Sequence, residues 1–291
     1  MRRKLVKQGG TTLMVSLPPA WLVKTHLKKG DEVDVFEQEE GIFVTAKGSP
    51  ASMSVELTLP EGNNFVKRLL VVPYIRGADE IRAICPDALC VDKVIELVQE
   101  WLIGMEVVDT KGGICIIKNV AEARETEFNT LFRRTLLLFL DMLQEGSESF
   151  SEKNFDRLAK ASKTEHILHK YTLFLQRLIH KHGYTPKHDQ EVVGILLFIL
   201  ESSADMIRDI YKKIVSDNKL PDRKTQELLS GVLHVFDDFQ TYFFKRSLDN
   251  LLRLRKTVKN TYELGEGTSF YMSNRLFCIL ENLTQISYLV A

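Results

Sequence analysis

Several features that mark other protein classes are missing from this sequence. The longest apolar run, from Val192 to Leu200, is too short to cross a bilayer and is bounded by charge. The basic start runs into strand-like alternation without a long apolar core, unlike a secretory signal. The four cysteines form no Cys-x-x-Cys pair, which fits buried reduced thiols better than disulfides or zinc; they are Cys85, Cys90, Cys115 and Cys278. The sequence therefore predicts a cytoplasmic protein.

Signatures of catalysis are also missing. We find no phosphate-binding loop, no nucleophile paired with a base and no complete metal site, so we expect no enzymatic activity. The formal net charge is zero, with 39 basic and 39 acidic side chains. Any nucleic-acid site must therefore be local, because the chain as a whole does not attract polyanions.

Acidic residues are absent from the first part of the chain. Between Met1 and Lys29 there are seven cations and no acid, whereas the ten residues from Asp31 to Glu40 hold six acids and no cation. The seven cations are Arg2, Arg3, Lys4, Lys7, Lys24, Lys28 and Lys29. We predict that they contact DNA phosphates. The alternative is that they are only solvated, or pair with the acids that follow.

The same stretch has the pattern of a small β-β-α-β-β unit. Residues 13–17 alternate apolar and polar as a half-buried strand does, and Pro18-Pro19 then begins a short helix that Leu27 closes. Gly30 is placed as the left-handed residue after the helix. Two short strands follow, joined by a turn at Glu39-Glu40-Gly41.

A unit of this size buries too little apolar surface to fold alone, and it has no cysteine to staple it, so we infer that two copies pair. The steps Leu17-Pro18-Pro19-x-Trp21 and Leu27-x-x-Gly30-Asp31-x-Val33 resemble the AbrB (SpoVT/AbrB, MazE-like) swapped-hairpin family. The resemblance covers residues 3–47. It implies an intertwined homodimer that grips DNA with basic residues of its first strand, first turn and helix.

The turn-forming residues Gly48-Ser49-Pro50 mark the end of this first domain, which is predicted to be residues 1–48. Residues 49–120 alternate short strands and helices, which predicts an α+β connector. Its default role is to connect or to support the dimer. A regulatory ligand pocket is the alternative that the sequence leaves open.

Strands disappear after residue 120, and six amphipathic helices fill residues 121–291. We predict them at residues 125–144, 151–180, 187–215, 222–244, 247–263 and 268–289. Turn signals separate them, at 145–147, 183–186, 218–221 and 265–267. The helices divide into two sets of three, residues 121–218 and 219–291, whose third helices carry Glu201-x-x-x-Asp205 and Glu281-x-x-x-Gln285. This predicts a duplication and two antiparallel bundles.

The two three-helix sets and their Glu-x-x-x-Asp-like step resemble the PhoU family of phosphate-signalling regulators. An AbrB-like domain ahead of such a region resembles the archaeal type of this family. The resemblance implies a role beside a phosphate ABC transporter or its signalling partners. It also implies metal clusters on carboxylates of the second and third helix of each repeat.

The candidate metal ligands are found by matching this family pattern to the sequence one residue at a time. Glu201 and Asp205 lie one helical turn apart and share a face; Glu165 matches the family's acidic step, and His169 replaces its aspartate. These four residues suit a divalent or iron-type cation, although no cofactor is certain. The alternative is a solvated carboxylate row with packed or exposed histidines.

In the second repeat Gln285 replaces the aspartate, and we expect Arg253 to face it and repel a cation, so that site is predicted to be lost. The two tryptophans, Trp21 and Trp101, are predicted to be packing residues.

Together these observations predict an α+β multidomain protein: a swapped-hairpin β domain, a short α+β connector, and a PhoU-like pair of three-helix bundles. We expect a DNA-binding regulator of phosphate uptake and phosphate homeostasis. The alternative is an adaptor that never needs DNA and acts on a phosphate ABC transporter or signalling partner by protein contact.

Overall fold

A computed structural model describes residues 2–10, 12–38, 41–46, 53–62, 65–121, 125–183, 189–264 and 270–290. The chain forms two compact units, residues 1–52 and residues 53–291. The predicted α+β multidomain class is confirmed. Four predicted turns fall wholly or partly outside the described residues, those at 39–41, 48–50, 183–186 and 265–267.

The first unit has the predicted β-β-α-β-β order. Its elements are β1 (Val6–Gln8), β2 (Thr12–Met14), α1 (Pro19–Lys24), β3 (Val33–Gln38) and β4 (Gly41–Ala46). Strands β1 and β2 pair antiparallel, and β3 and β4 form a second antiparallel pair. Pro19 begins α1 because proline fits the first helical turn, where its missing N–H leaves no bond unmade.

Helix α1 ends earlier than predicted. His26 takes the left-handed conformation, with φ of 56°, and its N–H donates to the Val23 carbonyl at 3.3 Å. Leu27 N–H donates to the Leu22 carbonyl at 3.1 Å, which completes a Schellman ending. Gly30, with φ of 98°, instead sits in the tight turn that follows. Lys28 and Lys29 therefore lie on this turn and not on the helix.

The described side chains of the first unit form no core of their own. None of its side chains with a described burial is buried, and several apolar ones are open to solvent. Val23, Ile42 and Leu5 are 75%, 68% and 65% exposed. This exposure favours the pairing of two copies, since a chain gains folding free energy mainly from apolar burial.

The second unit begins with a four-stranded sheet covered on one face by two helices. Its elements are β5 (Ser54–Thr58), α2 (Val66–Ile75), β6 (Glu80–Ile84), α3 (Ala88–Trp101), β7 (Met105–Asp109) and β8 (Ile114–Asn119). The strand order is β5-β6-β8-β7, with β5 and β6 parallel and the other pairs antiparallel. Alternate residues Ile81, Ala83, Cys115 and Ile117 are fully buried, as the two-residue period of a strand requires.

Six helices among the described residues complete the second unit. They are α4 (Glu125–Glu152), α5 (Phe155–His182), α6 (Gln190–Asp217), α7 (Arg223–Phe244), α8 (Leu248–Leu264) and α9 (Phe270–Val290). They follow the predicted two sets of three along the chain. Phe236 and Phe239 of α7 are fully buried in the core, and Phe244 at its end is exposed.

The turn predicted at residues 145–147 is wrong, because α4 continues through it to Glu152. Gly146 lies where α4 meets α6, and a side chain there would overlap the phenol of Tyr211. The Tyr211 hydroxyl donates to the Met142 carbonyl at 2.9 Å, so the two helices touch closely. The chain turns instead at Lys153, whose φ is 56°, and Asn154 then caps α5.

The α+β layer packs directly on helix α5. Buried Arg177 donates to the Tyr74 carbonyl at 2.8 Å, and Lys181 Nζ lies 2.5 Å from Asp79 Oδ1. Gly77 leaves room for the Lys181 side chain, since a Cβ there would lie 2.7 Å from Lys181 Cγ. The sequence divides the chain near residue 120, but residues 53–291 pack as one unit.

The cysteines are free thiols, as predicted, but not all are buried. Cys85, Cys90 and Cys115 are buried in the α+β layer, whereas Cys278 on α9 is exposed. The periodicity of α9 explains the exception, because Leu276, Ile279 and Leu280 form its buried face and Cys278 falls opposite. Among the described residues, no helix is long and apolar enough to cross a membrane.

The close contact of α4 and α6 makes Gly146 a test of the fold. We expect Gly146→Ala to lower the free energy of unfolding by roughly 1–3 kcal/mol, because overpacked sites must shift their neighbours. The matched control is Gly194→Ala in α6, where a Cβ meets nothing within 4 Å. That change should raise stability by roughly 0.5–1 kcal/mol through helix propensity. Urea unfolding measures both; equal effects would contradict the packing described here.

Candidate nucleic-acid interface and carboxylate cleft

The seven predicted DNA-binding cations are all exposed in the first unit. Lys7 belongs to β1 and Lys24 ends α1. Lys28 and Lys29 occupy the turn after α1, where Lys28 N–H donates to Asp31 Oδ2 at 2.7 Å. That bond orders the turn through the backbone and leaves both lysine side chains extended into solvent.

The alternative, that the cations pair with the following acids, is only partly covered by the described residues. Asp31 receives the Lys28 backbone N–H rather than an ammonium group. The side chains of Asp34 and Glu37, and all of residues 39–40, lie outside the described residues. Strong pairing would reduce the charge available to DNA, and for the undescribed acids it stays a prediction.

A cleft of about 800 Å³ opens where the α+β layer meets the helices. Helices α2 and α3 form one wall, and α5 and α6 form the other. The lining residues are Lys67, Glu100, Trp101, Ser162, Lys163, Glu165, His166, His169, Asp205, Arg208 and Lys212. Charged and aromatic side chains dominate this list, which is the composition of a polar ligand site rather than of a core.

The four predicted metal ligands come together at this cleft. Ligand atoms of Glu165, His169 and Asp205 all lie within 4.8 Å of one another. Glu201 Oε1 lies 3.2 Å from His169 Nδ1, so it joins the group through the histidine. Helices α5 and α6 pack antiparallel, and residues 165–169 of α5 lie beside residues 201–205 of α6. Ligands from the two helices therefore meet.

Arg208 lies among these ligands and was missed by the sequence analysis. Its guanidinium nitrogen NH1 lies 3.1 Å from Glu165 Oε2 and 2.5 Å from Asp205 Oδ1. Its other nitrogens contact Asp209, which also receives Arg275 at 3.1 Å. A cation would compete with this guanidinium for the same oxygens. The donor set fits a divalent metal only if Arg208 turns toward Asp209 alone.

Burial and neighbouring charges shift the pKa values of Glu165 and Asp205 in opposite directions. Burial raises the pKa of Asp205 to about 6, aided by the neighbouring acids Glu165 and Glu201 and opposed by Arg208. Burial also opposes the ionisation of Glu165, but hydrogen bonds from His169 and Arg208 lower its pKa to about 2. Glu165 is therefore the permanent anion of the site, and Asp205 takes up a proton first.

The wall opposite the carboxylates is aromatic. Trp101 was predicted to be a packing residue, and it does contact the core, yet its ring also faces the cleft. Lys67 Nζ lies 3.0 Å from its ring centroid, and the His169 ring lies 4.8 Å away. Burial lowers the pKa of Lys67, although the cleft acids pull it upward. No sequence signal links Lys67 or Trp101 to helices about one hundred residues away.

Arg208, by contrast, could have been found from its spacing in the sequence. It stands three residues after Asp205 on the same helix, the spacing at which side chains pair.

In the second helical set, the expectation that Arg253 faces Gln285 is wrong. Arg253 Nε lies 2.7 Å from Asp238 Oδ1, and Thr257 donates to the other oxygen of Asp238 at 2.7 Å. The arginine therefore turns toward α7, where the partly buried Asp238 accepts it. The loss of a metal site in this repeat stays a prediction.

Competition between Arg208 and a cation can be measured directly. We expect Arg208→Gln to raise Mn²⁺ affinity at least about tenfold, or ~1.4 kcal/mol, because three carboxylates lose their counterion. Calorimetric titration gives the affinity. The control is Arg275→Gln, which removes a nearby cation that contacts Asp209 but not Glu165 or Asp205. An unchanged affinity in Arg208→Gln would exclude this competition.

The raised pKa of Asp205 predicts a pH-dependent stability. The folded protein holds this proton more tightly than an unfolded chain, whose ordinary pKa is 3.8, so Asp205 lowers stability progressively as the pH rises from about 4 to about 6 and by a constant amount above that. We expect Asp205→Asn to come close to the wild-type protein at pH 4 and to exceed its stability at pH 8. Asp209→Asn, which loses bonds to two arginines, should be less stable at both values. Lower stability of Asp205→Asn at pH 8 would contradict the assignment.

Comparison with known proteins informs the first unit. A family model described as "Antidote-toxin recognition MazE, bacterial antitoxin" matches residues 6–52. No curated protein and no solved structure matches the chain. The amino-terminal unit is thus a MazE/AbrB-like domain, compatible with DNA binding and with oligomerisation, and the resemblance predicted from its proline and glycine steps is confirmed there.

Proposed function

We propose that this protein is a DNA-binding transcriptional regulator of phosphate uptake and phosphate homeostasis. The observation that carries the proposal is the MazE/AbrB-like unit with seven exposed cations and no acid before Lys29. DNA phosphates are the ligand that matches such a surface, because each bound cation releases a counterion from the duplex.

Pairing of two copies would enlarge this surface. The exposed apolar side chains of the first unit need a partner, and a second copy supplies a self-complementary one. The basic segments of both copies would then act together. Two-fold symmetry would favour two matching half-sites on the DNA, as for other dimeric DNA-binding domains.

The helical region supplies the proposed sensor. Its two sets of three helices and the Glu201-to-Asp205 step support the resemblance to PhoU regulators, and hence the phosphate role. The cleft is the proposed effector site, since it combines a buried acid with partly exposed ones, a histidine and an aromatic wall. If a metal binds, Glu165, His169, Glu201 and Asp205 would hold it, and it would supply positive charge for an anionic effector.

Ligand binding at the cleft has a structural reason to matter. The cleft takes one wall from the α+β layer and the other from the helices, so a ligand that contacts both walls would favour one packing of the two. Regulation further requires that this packing and DNA affinity be linked, and such a linkage must act in both directions.

A non-DNA-binding adaptor is the second candidate. Exposed apolar side chains on the helices favour it, because such residues mark protein contacts when they cluster. Phe198 and Ile195, one turn apart on α6, are 64% and 44% exposed, and Leu248 on α8 is 70% exposed. A phosphate ABC transporter or a signalling protein would be the partner.

DNA binding across a salt series tests the first candidate against the second. We expect the intact protein to select particular genomic fragments, with affinity falling steeply as salt rises. Replacing four residues by alanine should weaken binding at least about tenfold and flatten the salt dependence by roughly one unit per lost phosphate contact. The four residues are Arg2, Arg3, Lys4 and Lys7.

A charge control keeps this test specific. Lys256→Ala with Lys259→Ala removes two exposed cations from α8 and should leave DNA binding unchanged. If the intact protein binds no fragment at low salt, the regulator proposal fails and the adaptor takes its place. If both sets of substitutions weaken binding alike, the contact is general electrostatics and the amino-terminal interface is wrong.

A further inference from the structure

A second cavity in the second unit differs in chemistry from the carboxylate cleft. It has a volume of about 510 Å³ and lies between the start of α4, the start of α6 and the end of α7. Two arginines against one acid give its described lining a net positive charge, which favours an anionic ligand. The lining residues are Asn129, Phe132, Arg133, Asp189, Phe243, Phe244 and Arg246.

The Arg133 guanidinium is held over an aromatic ring. Its central carbon lies 4.0 Å from the ring centroid of Phe244, and that ring lies 6.4 Å from Phe132 and 5.3 Å from Phe243 between centroids. Among the described residues, no acid pairs with Arg133. A guanidinium on a ring face keeps N–H groups for an anion, and its planar fork matches a carboxylate or a phosphate.

Arg246 brings a second guanidinium to the same cavity. Its Nη2 lies 2.8 Å from Asp189 Oδ2, and Asp189 stands immediately before the first residue of α6. The Arg246 side chain is 39% exposed and that of Asp189 only 14%, so the arginine keeps its access to solvent. Because Asp189 neutralises Arg246 in part, Arg133 supplies the unbalanced positive charge of the site.

Three phenyl rings make this cavity more than a phosphate site. Phe132 and Phe243 are buried, whereas Phe244 is 42% exposed. An exposed ring beside two arginines offers an apolar surface that inorganic phosphate cannot cover. A ligand with a flat ring and an anionic group would cover it, and the cavity volume falls in the range of small-molecule sites.

Asn129 can recognise the edge of such a ring. It lies one helical turn before Arg133 on α4, so the two side chains share a face. Asn129 is exposed, and its amide bonds to none of the described residues. An asparagine amide both donates and accepts, and it matches the N6 and N7 edge of adenine. Asp189 offers acceptor oxygens for ribose hydroxyls, a role that acidic residues take in other nucleotide sites.

We propose that this cavity binds a purine nucleotide of the adenosine monophosphate (AMP) class. The two arginines bind the phosphate, Asn129 and Phe244 contact the base, and Asp189 accepts from the ribose. The cavity takes residues from both sets of three helices, so the nucleotide favours the packing of the two sets that it contacts best. The site needs neither DNA binding nor a metal in the carboxylate cleft, and it is therefore independent of the proposed function.

The test titrates AMP into the full chain by calorimetry. We expect one AMP per chain, and inorganic phosphate and adenosine should each bind at least about tenfold more weakly, because each makes only part of the contacts. Arg133→Met keeps an apolar stem and should weaken AMP binding at least about tenfold, since charge-assisted hydrogen bonds are lost. The matched control is Arg134→Met, which alters the neighbouring exposed arginine outside the cavity and should change nothing.

A further variant tests recognition of the base. Asn129→Leu should abolish the preference for AMP over guanosine monophosphate. Asn129, Arg133 and Arg134 are exposed, so we expect these variants to fold, and circular dichroism checks this. Four results would each overturn the proposal: no AMP binding, phosphate bound as tightly as AMP, equal losses in the two arginine variants, or an AMP preference that survives in Asn129→Leu.

Discussion

The packing of helix α5 against the α+β layer is the contact on which the rest of the second unit depends. Arg177 is 2% exposed, and it donates to the Tyr74 carbonyl, while Lys181 pairs with Asp79. Burying a guanidinium is unfavourable without such partners, so these bonds hold α5 in one position. That position brings Lys67 and Trp101 to the carboxylates of α5 and α6. Without this packing, the two walls would not come together to form the cleft.

The cleft balances its own charges, and this balance limits what it can bind. Arg208 neutralises Glu165 and Asp205 from within, so a metal must displace it and an anion must share it. A site of this kind responds to a ligand by exchanging ion pairs. Ion-pair exchange between packed helices is a recognised way to shift one arrangement to another. The same arginine therefore determines which ligands the cleft can bind.

The two units differ in how far they bury their apolar side chains. The second unit has a continuous core that includes Tyr74, Phe139, Tyr211 and Phe236, all fully buried. The first has no buried side chain among those described, which favours pairing with a second copy. Such pairing would tie its folding to protein concentration, as it is for obligate dimers. DNA binding would stabilise the same dimer, because a ligand favours the state that binds it.

Local order was determined by the sequence. Secondary structure follows from patterns among neighbouring residues: strand alternation, proline at the start of α1 and the 3.6-residue period of α4 to α9. The elements and the MazE/AbrB-like unit were therefore predictable. Glu201 and Asp205 were found for the same reason. Tertiary structure decided the rest: Gly146 is a helix contact and not a turn, His26 ends α1, and Arg208, Lys67 and Trp101 join the cleft. These contacts arise only on folding, because contacts between distant residues depend on packing, which no local spacing records.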